Sequence, residues 1–96
     1  MGHEPFVDDV LVEAKALLES DRQDEYGTPK ENFTRWSHIC REIGFLLSPG
    51  DLALIMAAGK MARIGNKRMR PMKRDNFVDL AGYSSLAVHL YGDDVA

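Results

Sequence analysis

The chain has 96 residues, of which 45% are hydrophobic and 28% charged, and its formal net charge is -3 at pH 7. This composition excludes a disordered or collagen-like chain, and the length predicts one domain, residues 1–96, with one small core. A single cysteine, Cys40, excludes an intrachain disulfide, and no apolar run approaches the ~20 residues of a membrane span. We therefore expect a cytoplasmic protein that does not enter the membrane.

The first segment with a helical pattern covers residues 6–19. Its apolar residues recur with the 3.6-residue period of an α-helix. They are Val7, Val10, Leu11, Ala14, Leu17 and Leu18. An amphipathic helix is therefore predicted here, and the polar residues 20–27 end it.

A second helix is predicted from the start signal Thr28-Pro29, in which threonine caps the helix and proline takes its first position. Glu31 stands three residues after Thr28, as in a capping box. Apolar residues then follow at helical spacing as far as Gly44, which ends the helix. They are Phe33, Trp36, Cys40 and Ile43.

The third predicted helix, over residues 49–64, begins with the same kind of signal at Ser48-Pro49. Its apolar residues surround the helix axis, and a helix that is apolar on all sides is buried against its own chain or a second copy. Small residues, among them Ala58 and Gly59, would let another backbone approach closely. This segment predicts that the protein forms a homo-oligomer.

The fourth predicted helix begins near Asp75 and ends at Gly92. Its apolar side includes Phe77, Leu80 and Val88, and no segment of the chain shows the alternation of a strand. Four helices with short connections predict an all-α fold, an antiparallel bundle of about four helices.

The basic residues are concentrated in one part of the chain. Seven of the twelve lysines and arginines lie between Asp51 and Asp75, where no acidic residue occurs. Lys60 and Arg63 share a face of the third helix, and antiparallel packing would bring them to Asp75 and Asp79 on the fourth. Such a basic block in an acidic protein marks a place for an anion.

Two interpretations of this cluster stay open at the level of the sequence. In the first, the opposite charges form a salt-bridged corner that needs no ligand and suits the helix dipoles. In the second, Asp75 and Asp79 hold Mg²⁺, while Lys60 and Arg63 bind the oxygens of a phosphate. Tyr83, four residues after Asp79, would line the same cleft or pack in the core.

Residues 21–27 place charged and aromatic side chains in the connection between the first two helices. Arg22 would bind phosphate and Tyr26 would stack on a base if this connection is part of a site. The alternative is a turn in which Tyr26 covers the core and Arg22 pairs with Asp21 or Asp24.

The order of motifs along the chain resembles a family of small helical bacteriophage proteins whose biochemical role is not established. The resemblance covers roughly residues 10–90 and is specific only when the motifs are combined. It rests on Asp21, Arg22, Tyr26, Gly27, Asn32, Phe33, Asp51, Lys60, Arg63, Asp75, Asn76, Asp79, Gly82 and Tyr83.

A remoter resemblance is to the MazG-like all-α nucleoside triphosphate pyrophosphohydrolases, which hold Mg²⁺ on helix-borne acidic residues. Asp75 and Asp79 match the first and last positions of the second acidic motif of that superfamily, E-E-x-x-D. Asn76 stands where a carboxylate is expected. The first motif, E-E-x-x-E, is missing, since the first helix offers only Glu13 and Glu19, which do not share a face.

Three functions are therefore considered. The first is a phage-encoded protein that binds or hydrolyses a nucleoside polyphosphate with Mg²⁺ at the cluster of basic and acidic residues. The alternative is a non-enzymatic accessory protein that binds a host protein through the apolar third helix. Nucleic-acid binding through residues 60–74 is disfavoured, because this segment has no aromatic residue for base stacking and the chain is acidic.

Overall fold

The computed structural model describes residues 6–19, 27–66, 68 and 70–96, with side chains from Asp9 onward, and contains no strand among these residues. The elements are α1 (Phe6–Leu18), α2 (Pro29–Glu42), α3 (Pro49–Ile64), α4 (Arg74–Tyr91) and a final turn of 3-10 helix (Gly92–Asp94). The predicted all-α fold with four helices is thereby confirmed. Within the described part of the chain, no helix has the length and apolar character that crossing a membrane requires.

The starts of α2 and α3 are fixed by the capping residues that the sequence indicated. The hydroxyl of Thr28 accepts a hydrogen bond from the backbone N–H of Glu31 at 3.1 Å. At α3 the cap is reciprocal: Ser48 accepts from the N–H of Asp51 at 3.1 Å, and Asp51 accepts from the N–H of Ser48 at 2.9 Å. Each such cap contributes about 1 kcal/mol and fixes the residue at which its helix begins.

The core lies where α2, α3 and α4 meet. Its buried members are Phe33, Cys40, Leu52, Ala53, Leu86 and Ala87. The most extensive contact between two helices is that of α3 with α4, and α4 also packs against α1. α4 therefore carries α3 and α1, whereas α2 packs mainly against α3.

α3 and α4 are antiparallel, as two contacts at opposite ends of the pair demonstrate. Lys60, late in α3, forms an ion pair with Asp79, early in α4. Asp51, early in α3, accepts a hydrogen bond from Tyr91 at the end of α4. The predicted approach of the end of α3 to the beginning of α4 therefore occurs.

α1 runs along α4 in the same direction. Glu13 forms an ion pair with Arg74 at the start of α4, whereas Leu18, at the end of α1, lines a pocket together with Leu86, three turns further along α4. α3 and α1 thus lie on different sides of α4, in opposite directions. This arrangement leaves a cleft between α1 and α4.

α3 is buried on one side only. Leu52, Ala53 and Ala57 face the interior, whereas Leu54 is 48% exposed and Met61 60% exposed. The expectation that this helix would be buried on all sides is therefore not met within one chain, because α2 and α4 cover the same side of it.

Gly59 lies in the middle of α3, where glycine costs about 1 kcal/mol relative to alanine. A Cβ built on Gly59 would meet no atom of the described residues within 4 Å. In contrast, a Cβ on Gly50 would lie 2.7 Å from carbons of the Tyr91 ring. Packing within the chain therefore explains the glycine at position 50 but not the one at position 59.

The contact of Tyr91 with α3 also has a polar part. The Tyr91 hydroxyl donates a hydrogen bond of 2.6 Å to Asp51, and the Ser48 N–H donates a second bond to the same carboxylate. These bonds, that of Tyr91 first, lower the pKa of Asp51 below its ordinary value. The same bond raises the pKa of Tyr91. The end of α4 is thus tied to the cap of α3.

We expect Tyr91→Phe to lower the free energy of unfolding by about 1–2 kcal/mol at neutral pH, since it removes a hydrogen bond to a carboxylate. The lowered pKa of Asp51 means that its contribution is present above the unfolded pKa of about 3.9 and is lost as the pH falls through the folded value. The difference between wild type and Tyr91→Phe should therefore shrink below about pH 4. Urea unfolding of both proteins at several pH values measures this difference in the free energy of unfolding.

Tyr83→Phe is the control, because it removes a phenol hydroxyl from the same helix without touching the contact with Asp51. Its effect on the free energy of unfolding should not follow the titration of a carboxylate. An effect of Tyr91→Phe that is equally large at pH 7 and pH 3 would contradict the assignment.

Candidate functional site

The candidate site is the cleft between α1 and α4, which has a volume of about 400 Å³. It is lined by Glu13, Ala14, Leu17 and Leu18 of α1 and by Asp75, Val78, Asp79, Gly82 and Tyr83 of α4. This α1–α4 cleft falls within the range of volumes at which proteins bind small molecules, roughly 300–1,000 Å³. Its apolar walls and few acidic groups are also typical of such sites.

The polar side chains on the α4 side of the cleft follow from helix geometry. Asp75, Asp79 and Tyr83 are spaced by four residues, so they lie on successive turns of one face. All three line the cleft, which lies between α1 and α4 and not between the third and fourth helices, where the sequence placed a ligand site. Asp75 is exposed, whereas Asp79 and Tyr83 are half-buried.

Asp79 is held by a basic residue from the neighbouring helix. The Lys60 ammonium lies 2.8 Å from Oδ2 of Asp79, and the two side chains are 15% and 30% exposed. Lys60 stands one turn after Met56 and Ala57 on the side of α3 that faces α4, where an unpaired ammonium would be costly. The ion pair therefore serves the packing of α3 on α4, while Asp79 also faces the cleft.

A second ion pair joins the two walls of the cleft. The guanidinium of Arg74, the first residue of α4, donates to the carboxylate of Glu13 on α1. This hydrogen bond is the main reason why the pKa of Arg74 is raised. Both side chains are close to half exposed, so they are open to water and to a ligand at this side of the cleft.

The other predicted site residues lie elsewhere. Arg63 is exposed on α3 and is not among the described residues that line the cleft. Lys60 reaches the site only through its contact with Asp79. Arg22 and Tyr26 lie outside the described residues. Of the four charged residues expected to converge, the structure joins Lys60 to Asp79 and places Asp75 one turn away.

Glu13 was missed as a site residue by sequence reasoning. Its partner Arg74 is 61 residues away in the chain, and no local pattern relates the two. The sequence signal that exists is its position one residue before Ala14, which lies in the apolar stripe of α1. A polar residue at the border of such a stripe lies where a helix meets its neighbour.

The cleft carries more negative than positive charge. Three carboxylates, those of Glu13, Asp75 and Asp79, line it, and two basic side chains, those of Lys60 and Arg74, pair with two of them. Within the described part of the chain, no group of three or more His, Cys, Asp or Glu residues is placed to hold a metal ion. A metal bound here would therefore take part of its coordination from water or from a ligand.

Comparison with known proteins places these residues in a wider group. Residues 9–91 match the family described as Domain of unknown function (DUF6378). The chain is also similar to the Gene 55 protein of Mycobacterium phage D29, with 33% identity over 89 residues. That similarity covers 90% of this chain but 56% of the relative, so the chain spans about half the length of the phage protein. No solved structure matches the chain.

Proposed function

Because the chain belongs to the family described as Domain of unknown function (DUF6378), we propose a function from its geometry: the α1–α4 cleft binds a nucleoside polyphosphate together with Mg²⁺. The similarity to a phage protein confirms the expected relation to small phage proteins of unknown function. The observation that supports nucleotide binding best is that Asp75, Asp79 and Tyr83 line one open cleft.

The residues for Mg²⁺ in this proposal are Asp75 and Asp79. Their carboxylates lie one turn apart and line the same space, and carboxylate oxygens suit a hard cation. Two protein carboxylates are enough for Mg²⁺, which keeps several water ligands and takes others from phosphate. When bound, the metal would neutralise phosphate charge and polarise a phosphorus–oxygen bond.

The phosphates would be bound by basic side chains beside these carboxylates. Arg74, the first residue of α4, reaches Glu13 of α1 and is nearly half exposed. Lys60 would divide its hydrogen bonds between Asp79 and a phosphate oxygen. Arg22 is kept from the sequence as a further proposed phosphate ligand, whereas Arg63, outside the cleft lining, is not part of this proposal. The nucleobase would lie against the apolar walls and stack on the ring of Tyr83, with Tyr26 as a second stacking residue.

The charge of the cleft gives the proposal a specific requirement. A polyphosphate that enters without a metal meets the acidic groups Glu13, Asp75 and Asp79, and like charges at this range repel each other. Binding should therefore depend on Mg²⁺. We therefore propose a site like that of the MazG-like pyrophosphohydrolases, with part of the acidic motifs missing, that binds the nucleotide. An assay for pyrophosphate release on the same samples tests whether the protein also hydrolyses it.

We expect a nucleoside triphosphate with Mg²⁺ to raise the melting temperature of the protein by about 10 °C when it is present at 100 times its dissociation constant. The same nucleotide with a chelator should give no rise. Asp75→Asn should abolish the rise because it removes a proposed metal ligand. Differential scanning fluorimetry with a panel of nucleotides provides the measurement.

Asp93→Asn is the matched control, since Asp93 is an exposed aspartate of the C-terminal turn outside the cleft lining. It should keep the full rise. A panel in which no nucleotide shifts the melting temperature at millimolar concentration, with or without Mg²⁺, would refute the proposal.

A second candidate function is binding of a host protein without catalysis. Four large apolar side chains in and after α2 are exposed, and exposed apolar surface of this kind marks interaction sites. They are Ile39, Ile43, Phe45 and Leu46. A bacterial protein retained in stoichiometric amount by the wild-type chain, combined with no effect of any nucleotide, would favour this function.

A further inference from the structure

The exposed side of α3 is apolar except for Arg63 in the last turn. Successive residues of a helix are rotated by about 100°, so the exposed apolar members of α3 occupy an arc of roughly 160°, and Arg63 borders it. They are Leu54, Ile55, Ala58, Gly59, Met61 and Ala62. The three large side chains among them are 48%, 49% and 60% exposed, respectively. An exposed apolar surface of this kind marks a site of contact with another molecule.

Gly59 indicates what kind of surface covers this side. A glycine inside a helix lowers its stability, and no atom of the described residues lies within 4 Å of a Cβ built on Gly59, so no contact among these residues requires the missing side chain. Close approach of another chain is one reason for a glycine at such a position. None of the described residues makes such an approach at Gly59, so a second chain is the candidate.

We infer that this side of α3 pairs with the same side of α3 in a second copy, with the helices antiparallel. The arrangement of side chains is self-complementary about its centre: large Leu54 and Met61 stand at the two ends, and small Ala58 and Gly59 lie between them. A two-fold axis near Ala58 brings the two backbones together at the small residues. It also places Leu54 of each copy opposite Met61 of the other.

Charge supports a second copy as the occupant. Within α3, the acidic residue is Asp51 in the first turn, and the exposed basic residue is Arg63 in the last turn, since Lys60 faces α4 and pairs with Asp79. Antiparallel pairing brings the acidic start of each α3 to the basic end of the other, which also aligns the helix dipoles favourably. Between these ends the exposed arc carries no charged side chain. An isologous contact of this kind closes on itself as a dimer.

Sedimentation velocity over a range of protein concentrations tests the dimer. The wild-type chain should pass from monomer to dimer as its concentration rises, and Gly59→Leu should stay monomeric throughout. Because nothing occupies the space at Gly59 in the monomer, this variant should keep its helical circular dichroism and melt at no lower temperature than wild type in dilute solution.

A charge exchange tests the antiparallel register. Leu54→Lys and Met61→Glu should each weaken the dimer at least tenfold, because each places a charge in the apolar contact. An equimolar mixture of the two variants should dimerise more tightly than either alone, since the register brings opposite charges together. Leu46→Lys is the control, because Leu46 is 82% exposed outside α3 and should leave the dimer unchanged.

Three results would overturn the inference. A chain that is monomeric at all concentrations excludes the second copy. A dimer that persists in Gly59→Leu and Leu54→Lys uses another surface. A monomer that binds a bacterial protein, and loses it in these variants, assigns the exposed side of α3 to a different partner.

Discussion

Replacing Leu52 with alanine is expected to lower the free energy of unfolding by about 2–5 kcal/mol. Leu52 is 1% exposed and lies on the side of α3 that packs against α2 and α4. The substitution removes apolar surface from the core and leaves a cavity that helices on both sides cannot fill without moving. A domain of this size has a total stability of about 5–15 kcal/mol, so this single change removes a large part of it.

The matched control is Leu46→Ala, the same substitution at a side chain that is 82% exposed. It should change the free energy of unfolding by no more than about 0.5 kcal/mol. Urea unfolding followed by circular dichroism, at a protein concentration low enough to keep the chain monomeric, compares the two. Equal effects at the two positions would mean that α3 does not pack as the structure shows.

The helix boundaries were predictable because their signals are local. Thr28 and Ser48 each stand directly before a proline and three residues before an acidic residue, and both cap helices as expected. These contacts span three residues, so short-range chemistry decides them before any tertiary packing forms. The position of Lys60 beside Asp79 was also accessible, because a short connection between two helices favours antiparallel packing.

The direction of α1 along α4 was not predictable in the same way. Residues 20–27 separate α1 from α2, and the contacts of α1 are made with α4, far along the chain. The amphipathic pattern of α1 identifies which side is buried but not which helix buries it. The pairing of Glu13 with Arg74, and with it one wall of the cleft, depends on this choice of partner.

The apolar residues on all sides of α3 illustrate a different limit of prediction from sequence. The sequence indicates that both sides of the helix avoid water, but hydrophobicity is non-directional and does not say which surface covers each side. Leu52 and Ala53 are covered by the chain itself, whereas Leu54 and Ile55, directly after them, are not. Composition alone treats these neighbours alike, and only the packing of α2 and α4 separates them.

The two aspartates of the cleft also differ in a way that their equal spacing conceals. Asp75 is exposed, whereas Asp79 is bound to Lys60. The sequence left two interpretations of these residues open, a salt-bridged corner or a metal site. In the structure Asp79 pairs with Lys60, and Asp75 and Asp79 both line one cleft. Measuring stability and binding on the same variants separates the two interpretations.

We expect Asp79→Asn to lower the free energy of unfolding by about 1–3 kcal/mol, because it leaves the mostly buried Lys60 ammonium without its carboxylate. Lys60→Met should cost less, since Asp79 is more exposed and can be hydrated by water in the cleft. The double variant should be more stable than the sum of the single effects predicts, by about 0.5–3 kcal/mol. Urea unfolding of the wild type, the two single variants and the double variant completes this double-mutant cycle.

Asp75→Asn completes the comparison, since an exposed aspartate should change the free energy of unfolding by less than about 0.5 kcal/mol. If the ion pair is structural and the metal site exists, Asp75→Asn loses Mg²⁺-dependent nucleotide binding and keeps the stability of the wild type. Asp79→Asn then loses nucleotide binding and is also less stable. If nucleotide binding survives in Asp75→Asn, Asp75 is not a metal ligand. A coupling energy near zero between Lys60 and Asp79 would instead show that their contact does not hold α3 to α4, and Asp79 would then be free to serve the ligand alone.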